Sequence, residues 1–148
     1  MSTILILNGP NLNLLGQREP GTYGSSTLSD LETLCADTAR SLNLTVECHQ
    51  SNHEGVLIDL IQAAGARHRL GSLRGIVLNA GAFSHTSIAL HDAIKGISPT
   101  PVVEVHLTNV HAREPFRHHS WISPVATGII IGLGFDGYRL AIQTLAEK

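Results

Sequence analysis

The chain has no excess of basic charge: 10 Lys and Arg stand against 12 Asp and Glu, for a net charge of −2 with histidine neutral. That balance leaves no electrostatic footprint for a nucleic acid or a membrane surface, and the few basic residues form no patch. Long apolar runs are also missing. The opening Ile4-Leu5-Ile6-Leu7 is short, lacks a basic flank and reads as a strand. No stretch approaches the roughly 20 apolar residues that a membrane span needs. Cysteine is scarce: Cys35 and Cys48 make no CxxC and have no histidine at zinc-ligand spacing beside them. With no secretory segment either, the expectation is a reducing cytoplasm. The usual signatures of nucleotide and metal chemistry are absent as well: no Gly-rich Walker loop, no GxGxxG, no HExxH. No repeat, low-complexity tract or linker divides residues 1–148, so one domain is expected.

What is present is a hydrophobic content of 43% with 15% charged residues, ordinary for a chain that buries a core. Short apolar runs alternate with longer helical patterns, the signature of repeated βα units around a parallel sheet. The runs Thr3 to Asn8, Leu44 to Gln50, Gly75 to Asn79, Pro101 to Leu107 and Val125 to Leu133 read as five strands. Helical patterns fall at Thr27 to Leu42, Gly55 to His68, Thr86 to Lys95 and Gly137 to Glu147, with a helical turn at Pro115 to His119. Thr27 and Asp30 have the spacing of a capping box. Strands three and five are near-continuous apolar runs, as expected where helices cover both faces. Strict alternation within one domain argues for an α/β, flavodoxin-like, three-layer sandwich on a five-stranded parallel sheet.

In such sheets ligands bind beyond the carboxyl ends of the strands. Asn8, Gln50, Asn79 and His106 all follow apolar stretches there. Polar groups where burial begins are costly unless paired or kept for a ligand, so a polar site is expected at that edge.

Three stretches carry candidate chemistry. In "VVEVHLTN", Glu104 and His106 are two apart on a strand and so share a face, where a hydrogen bond would fix the imidazole and favour its protonated form. A carboxylate-supported histidine at a strand's carboxyl end is a general-acid candidate; a solvated edge strand is the alternative. In "LNAGAFSHTSIALHDA", Gly81 allows a sharp turn and His85 sits at a helix N-terminus, as a surface residue or a ligand contact. Capping by Ser84, Thr86 or Ser87 explains part of that stretch, and Asp92 reads as an ordinary solvated helix residue. In "HAREPFRHHS", Arg113 and Arg117 present two cations on one helical face, beside Phe116, for a small anion or for solvent.

The loop "NLLGQREPGTYG" raises a sharper question, because it sets Arg18 and Tyr23 beside the mouth of the first strand. A tyrosine serves as a base near neutral pH only with a cation close by, and an arginine stays charged without competing for the proton. The alternative is that Tyr23 plugs the core beside Pro20 while Arg18 meets solvent.

Taken together, "LNGPNLNLLGQREPGTYG", "QSNHEG", "LNAGAFSHTS", "VEVHLTNVHAREPFRHHS" and "SPVATGIIIGLGFDGY" resemble the type II 3-dehydroquinate dehydratases (type II dehydroquinases) across nearly the whole chain. The resemblance implies a flavodoxin-like fold and no metal or cofactor. It implies an assembly of four trimers into a homododecamer. It also implies anti elimination of water from 3-dehydroquinate, through an enolate, to 3-dehydroshikimate, in the shikimate pathway or in quinate breakdown. Matched residue by residue, Tyr23 is the base, Arg18 the cation that favours its tyrosinate, and Asn11 the holder of a water against the enolate oxygen. His106 is the acid and Glu104 its partner. Asn79, His85 and Arg117 hold substrate hydroxyls, and the backbone around Leu107 and Thr108 takes the carboxylate. Arg113 matches a second loop arginine near a mobile lid at about residues 16–24, whose glycines 16, 21 and 24 would be hinges. Asp92 matches an acid offered to a neighbouring subunit's site. Thr108 stands where Ser is common, and Phe83 and Ser84 where many relatives carry Tyr and Thr.

Two rivals share the architecture. A flavin or nucleotide module would want a Ser/Thr/Gly-rich phosphate loop where this chain has "NGPNLNLLGQ". A phosphoacceptor receiver would need an Asp where Asn79 ends strand three. A purely structural oligomerisation module leaves Arg18, Tyr23, Glu104 and His106 at one edge unexplained.

Overall fold

The computed structural model describes residues 2–17, 21 and 25–148. Arg18 and Tyr23, with most of the expected lid and its Gly24, lie outside the described residues.

Five strands, β1 (Thr3–Asn8), β2 (Thr45–Gln50), β3 (Leu73–Asn79), β4 (Val102–His106) and β5 (Gly128–Ile131), form one sheet in the order β2-β1-β3-β4-β5, every pairing parallel. Among the described residues four α-helices pack on it: α1 (Leu28–Ser41), α2 (Glu54–Arg69), α3 (Ile88–Gly96) and α4 (Phe135–Ala146). The expected helical turn after β4 is a short 3-10 turn, Pro115–Arg117, rather than a fifth α-helix, because Pro115 opens it and it closes within three residues.

Alternation along the strands sorts the core into two layers. Ile4 and Ile6 of β1, with Val77, Val103 and Val105, face Leu31, Cys35 and Ala39 of α1 and Tyr138, Ala141, Ile142 and Leu145 of α4. Leu5 and Leu7, with Ile76, Leu78 and Val102, face Leu57 and Ile61 of α2 and Leu90 and Ile94 of α3. This two-sided burial is why the central strands β1 and β3 are near-continuous apolar runs. Burial pushes the Cys35 thiol, with help from neighbouring Cys48, up to about 12, and burial pushes Cys48 up to about 11; both are free.

Local signals set the helix starts. Thr27 Oγ1 accepts from the Asp30 N–H (3.2 Å) while Asp30 Oδ2 accepts from the Thr27 N–H (2.9 Å), completing the capping box. Of the three hydroxyls proposed to cap α3, Ser87 does so, accepting from Leu90 N–H at 2.9 Å. The helix begins at Ile88, later than Thr86, because a 3-10 turn over Gly81–His85 occupies the preceding residues.

β5 departs from expectation. It spans four residues, not the run from Val125 to Leu133, and is not covered on both faces. Its Ile130 faces Gly137 of α4, whereas Ile129 on the other face is 46% exposed. β5 is an edge strand, paired only with β4 among the described residues, so its apolar run does not report two covered faces.

Candidate active site

Register places the polar strand ends side by side. Asn8 of β1 is aligned with Gln50 of β2 and with Asn79 of β3, and His106 ends β4. Beyond them lies a cleft of about 190 Å³, whose lining includes Asn11, Asn79, His85, His106, Thr108 and Arg117. Pro10, Leu12, Leu15, Gly81, Ala82, Leu107, Val110 and Arg113 complete the wall.

The loop after β1 needs two unusual backbone positions to reach this cleft. Gly9 passes so close to the exit of β3 that a Cβ there would lie 2.5 Å from the Ala80 carbonyl oxygen. Asn11 adopts φ 69°, the left-handed region, and its N–H donates to Asn52 Oδ1 at 3.0 Å. Gln50 braces the same turn, with Nε2 donating to the Gly9 carbonyl and to Asn52 Oδ1, each at 3.1 Å. The "QSN" segment at the end of β2 is therefore the buttress of the Asn11 loop.

Below the cleft, buried Tyr138 of α4 donates to Asn8 Oδ1 (2.5 Å) and accepts from Asn79 Nδ2 (2.9 Å). Asn79 Oδ1 accepts from the Gly81 N–H at 3.1 Å. Both ends of the Asn79 amide are thereby oriented at the wall of the cleft. Burial pushes the Tyr138 hydroxyl far above the usual tyrosine range, so it stays neutral. Tyr138 sits on the apolar stripe of α4 and reads from sequence as plain core; no local pattern marks its hydroxyl.

Glu104 and His106 share the face of β4 opposite Val103 and Val105, as a period of two requires. Glu104 is fully buried and His106 is 6% exposed; Nε2 of the ring lies 2.5 Å from Glu104 Oε2. That contact leaves Nδ1 as the ring's other nitrogen. Ser123 Oγ donates to Glu104 Oε1 (2.6 Å) and Ser120 Oγ to Oε2 (2.8 Å). Burial raises the Glu104 carboxyl's affinity for a proton, yet the hydrogen bonds from His106, Ser123 and Ser120 together hold it below the usual carboxylate range. Neither serine was legible from sequence, since they reach Glu104 across 16 and 19 residues with no periodic spacing.

His85 stacks with His106 at 6.4 Å between ring centroids. Its Nδ1 donates to the His119 carbonyl at 2.8 Å, which leaves Nε2 as an acceptor. Burial lowers its affinity for a proton, so the neutral ring is favoured.

The two arginines do not share a helical face. Arg113 follows the short turn Val110–Ala112 in extended backbone, whereas Arg117 ends the next turn, Pro115–Arg117, and Glu114 links them. Glu114 Oε1 lies 3.1 Å from Arg117 Nε and 3.8 Å from Arg113 Nε. Arg113 Nη1 also donates to Thr108 Oγ1 at 3.3 Å, so the threonine hydroxyl ties the β4 exit to the loop that covers it. Asp92 is exposed on α3 and does not line the cleft. Among the described residues no three His, Cys, Asp or Glu side chains converge as a metal site requires. No helix among them is long and apolar enough to cross a membrane.

The cleft thus gathers a buried carboxylate–imidazole pair, a neutral histidine, an oriented amide and two arginines at the carboxyl edge of the sheet. Comparison with known proteins gives a consistent picture. The family model described as Dehydroquinase class II matches residues 2–146. The chain is 64% identical over 148 residues to a 3-dehydroquinate dehydratase of Marinomonas sp. (strain MWYL1), covering all of this chain and 98% of that one. It is 61% identical to 3-dehydroquinate dehydratase 2 of Ralstonia nicotianae over 145 residues, covering 98% of this chain and 94% of the relative. The crystal structure of a type II dehydroquinase from Butyrivibrio crossotus superposes with a TM-score of 0.92 at 45% identity, covering 97% of each chain.

Proposed function

The chain belongs to the class II dehydroquinases, and from that premise we propose how its residues divide the reaction among them. It is an enzyme that removes water from 3-dehydroquinate, the dehydration step of the shikimate pathway. Elimination next to a ketone needs a base for the carbon acid, a stabilised oxyanion and an acid for the departing hydroxyl. In our reading Tyr23, held as tyrosinate by Arg18, takes the proton beside the ketone. A water held by Asn11 stabilises the enolate oxygen. His106 gives its Nδ1 proton to the C1 hydroxyl, which leaves as water as the enolate collapses to the conjugated enone. Base and acid act from opposite faces, so the elimination is anti.

Asn79, neutral His85 and Arg117 hold the substrate hydroxyls, and the β4 exit at Leu107 and Thr108 takes the carboxylate. Arg113 steadies the covering loop. The 16–24 segment closes as a lid that carries Arg18 and Tyr23 together and excludes water. Asp92, exposed and not part of its own cleft, serves the site of a neighbouring copy in a homododecamer built from four trimers. The enzyme works in the cytoplasm.

The observation that carries this reading is the buried Glu104–His106 contact at the rim of a cleft lined by Asn11, Asn79, His85 and Arg117. The test is direct: mixing the purified protein with 3-dehydroquinate should raise the ultraviolet absorption of the conjugated enone product without added metal. A flat trace with active-concentration protein, metal present or not, rejects it.

A further inference from the structure

We propose that Ser120 and Ser123 are positioning residues that, by donating to both oxygens of Glu104, keep the proton shared by Glu104 and His106 on the imidazole. The inference rests on the reading of His106 as the acid and deepens it.

The geometry constrains the proton inventory closely. Ser120 Oγ accepts from Ile122 N–H (3.1 Å) and from Ser123 N–H (3.2 Å). With both lone pairs engaged, its single O–H is directed to Glu104 Oε2. Ser123 Oγ donates to the other oxygen, Oε1. Among the described residues Glu104 pairs with no lysine or arginine, so its charge is offset by His106 and these two hydroxyls.

A buried carboxylate and imidazole sharing one proton have two arrangements. In one, carboxylate faces imidazolium. In the other, a carboxylic acid donates to a neutral imidazole that still carries hydrogen on Nδ1. Both hold the same number of protons, but only the imidazolium is a competent acid at Nδ1 toward a leaving hydroxyl. Burial alone favours the neutral arrangement, because it penalises separated charge. Each hydroxyl donated to a carboxylate oxygen favours the charged one. Two such donors, on separate oxygens, are therefore what tips the pair toward imidazolium. Glu104 is fully buried, as is Ile122 between the two half-buried serines, so in the folded enzyme these hydroxyls are what its oxygens meet.

The experiment compares Ser123→Ala, Ser120→Ala and the double variant with the wild-type enzyme by steady-state kinetics and by 15N NMR of histidine-labelled protein. Ser123 is the cleaner site, because Ser120 also accepts from two backbone N–H groups. Loss of one charge-assisted hydrogen bond should lower kcat about tenfold and loss of both about a hundredfold, with KM changed less than about twofold. The His106 Nε2 resonance should move toward the position of an unprotonated ring nitrogen, and Ser123→Thr, which returns the hydroxyl, should restore both readings. A double variant with wild-type kcat, or one whose Nε2 resonance stays protonated, overturns the inference. So does a kcat loss that Ser123→Thr fails to restore and that follows a fall in melting temperature. His106→Ala, measured in parallel, keeps the two readings apart: full activity there removes His106 as the acid. An inactive His106→Ala protein beside unaffected serine variants removes only the role of the serines.

Discussion

Asn79 and Tyr138, one at the end of the third strand and the other in the last helix, share a buried 2.9 Å hydrogen bond across 59 residues of chain. The bond holds one end of the amide of Asn79, which lines the cleft, so a core residue helps decide how that amide is presented there.

Tyr138→Phe should therefore do two things at once. Asn8 Oδ1 and one N–H of Asn79 lose their partner in a buried site, at a cost of about 1–3 kcal/mol of unfolding free energy. Because the Asn79 amide then keeps only its bond from the Gly81 N–H, its hold is weaker, and KM for 3-dehydroquinate should rise more than kcat falls. Urea unfolding and initial-rate kinetics on the same preparation read both effects.

The close passage of Gly9 against Ala80 allows a second prediction. Gly9→Ala puts a methyl 2.5 Å from a backbone oxygen, which has no flexible end to swing away. Overpacking of that kind costs about 1–3 kcal/mol, and here it displaces the loop that carries Asn11. A lowered melting temperature with a loss of kcat is expected; a fully stable and active Gly9→Ala enzyme would contradict the geometry.

Turnover should collapse in Tyr23→Phe and His106→Ala while circular dichroism stays at wild type. General acid–base contributions of this kind are worth about 10²–10⁴-fold in rate. Near wild-type activity in a folded Tyr23→Phe protein would sink the proposed mechanism.

Glu104 also links stability to pH. Its folded-state carboxyl is held below the ordinary range, principally against burial by the hydrogen bonds of His106, Ser123 and Ser120. A depressed carboxylate contributes stability that is present above its unfolded pKa and lost as pH falls through the folded value. Melting temperature should thus fall on acidification below the usual glutamate range, and Glu104→Gln should flatten that part of the profile. Parallel acid limbs for the two proteins would show that the pair carries no such linkage.

Much of the fold is legible in the sequence because the strand and helix periods differ. The first strand runs from Thr3 to Asn8 as its apolar run indicates, and Thr27 with Asp30 announces α1 through chemistry confined to one turn. The apolar run around β5 misleads because an edge strand and a central one look alike when the chain next to them is not known. The site divides in the same way. Glu104 and His106 are two residues apart, and their meeting follows from strand alternation alone. Arg113 and Arg117 have helical spacing, but Pro115 breaks the segment into separate turns and Glu114 bridges them instead. The roles of Ser120, Ser123, Asn52 and Tyr138 leave no local pattern, because each acts through a partner that only the tertiary fold brings near. Arg18 and Tyr23, lying outside the described residues, stand on their chemistry and on the family resemblance.

The two thiols offer something unrelated to catalysis. Cys35 is fully buried and pushed up to about 12, and Cys48 of β2 is pushed up to about 11, so neither holds appreciable thiolate near neutral pH. A thiol-directed reagent then modifies Cys35 only when α1 lifts from the sheet. Cys35, unlike half-buried Cys48, works as an internal clock, its labelling rate counting the openings of the layer that packs α1 on β1 and β2, the strand whose Gln50 braces the cleft. Such a count needs no substrate, and it would separate variants that lose a reacting group from variants that loosen the wall behind it.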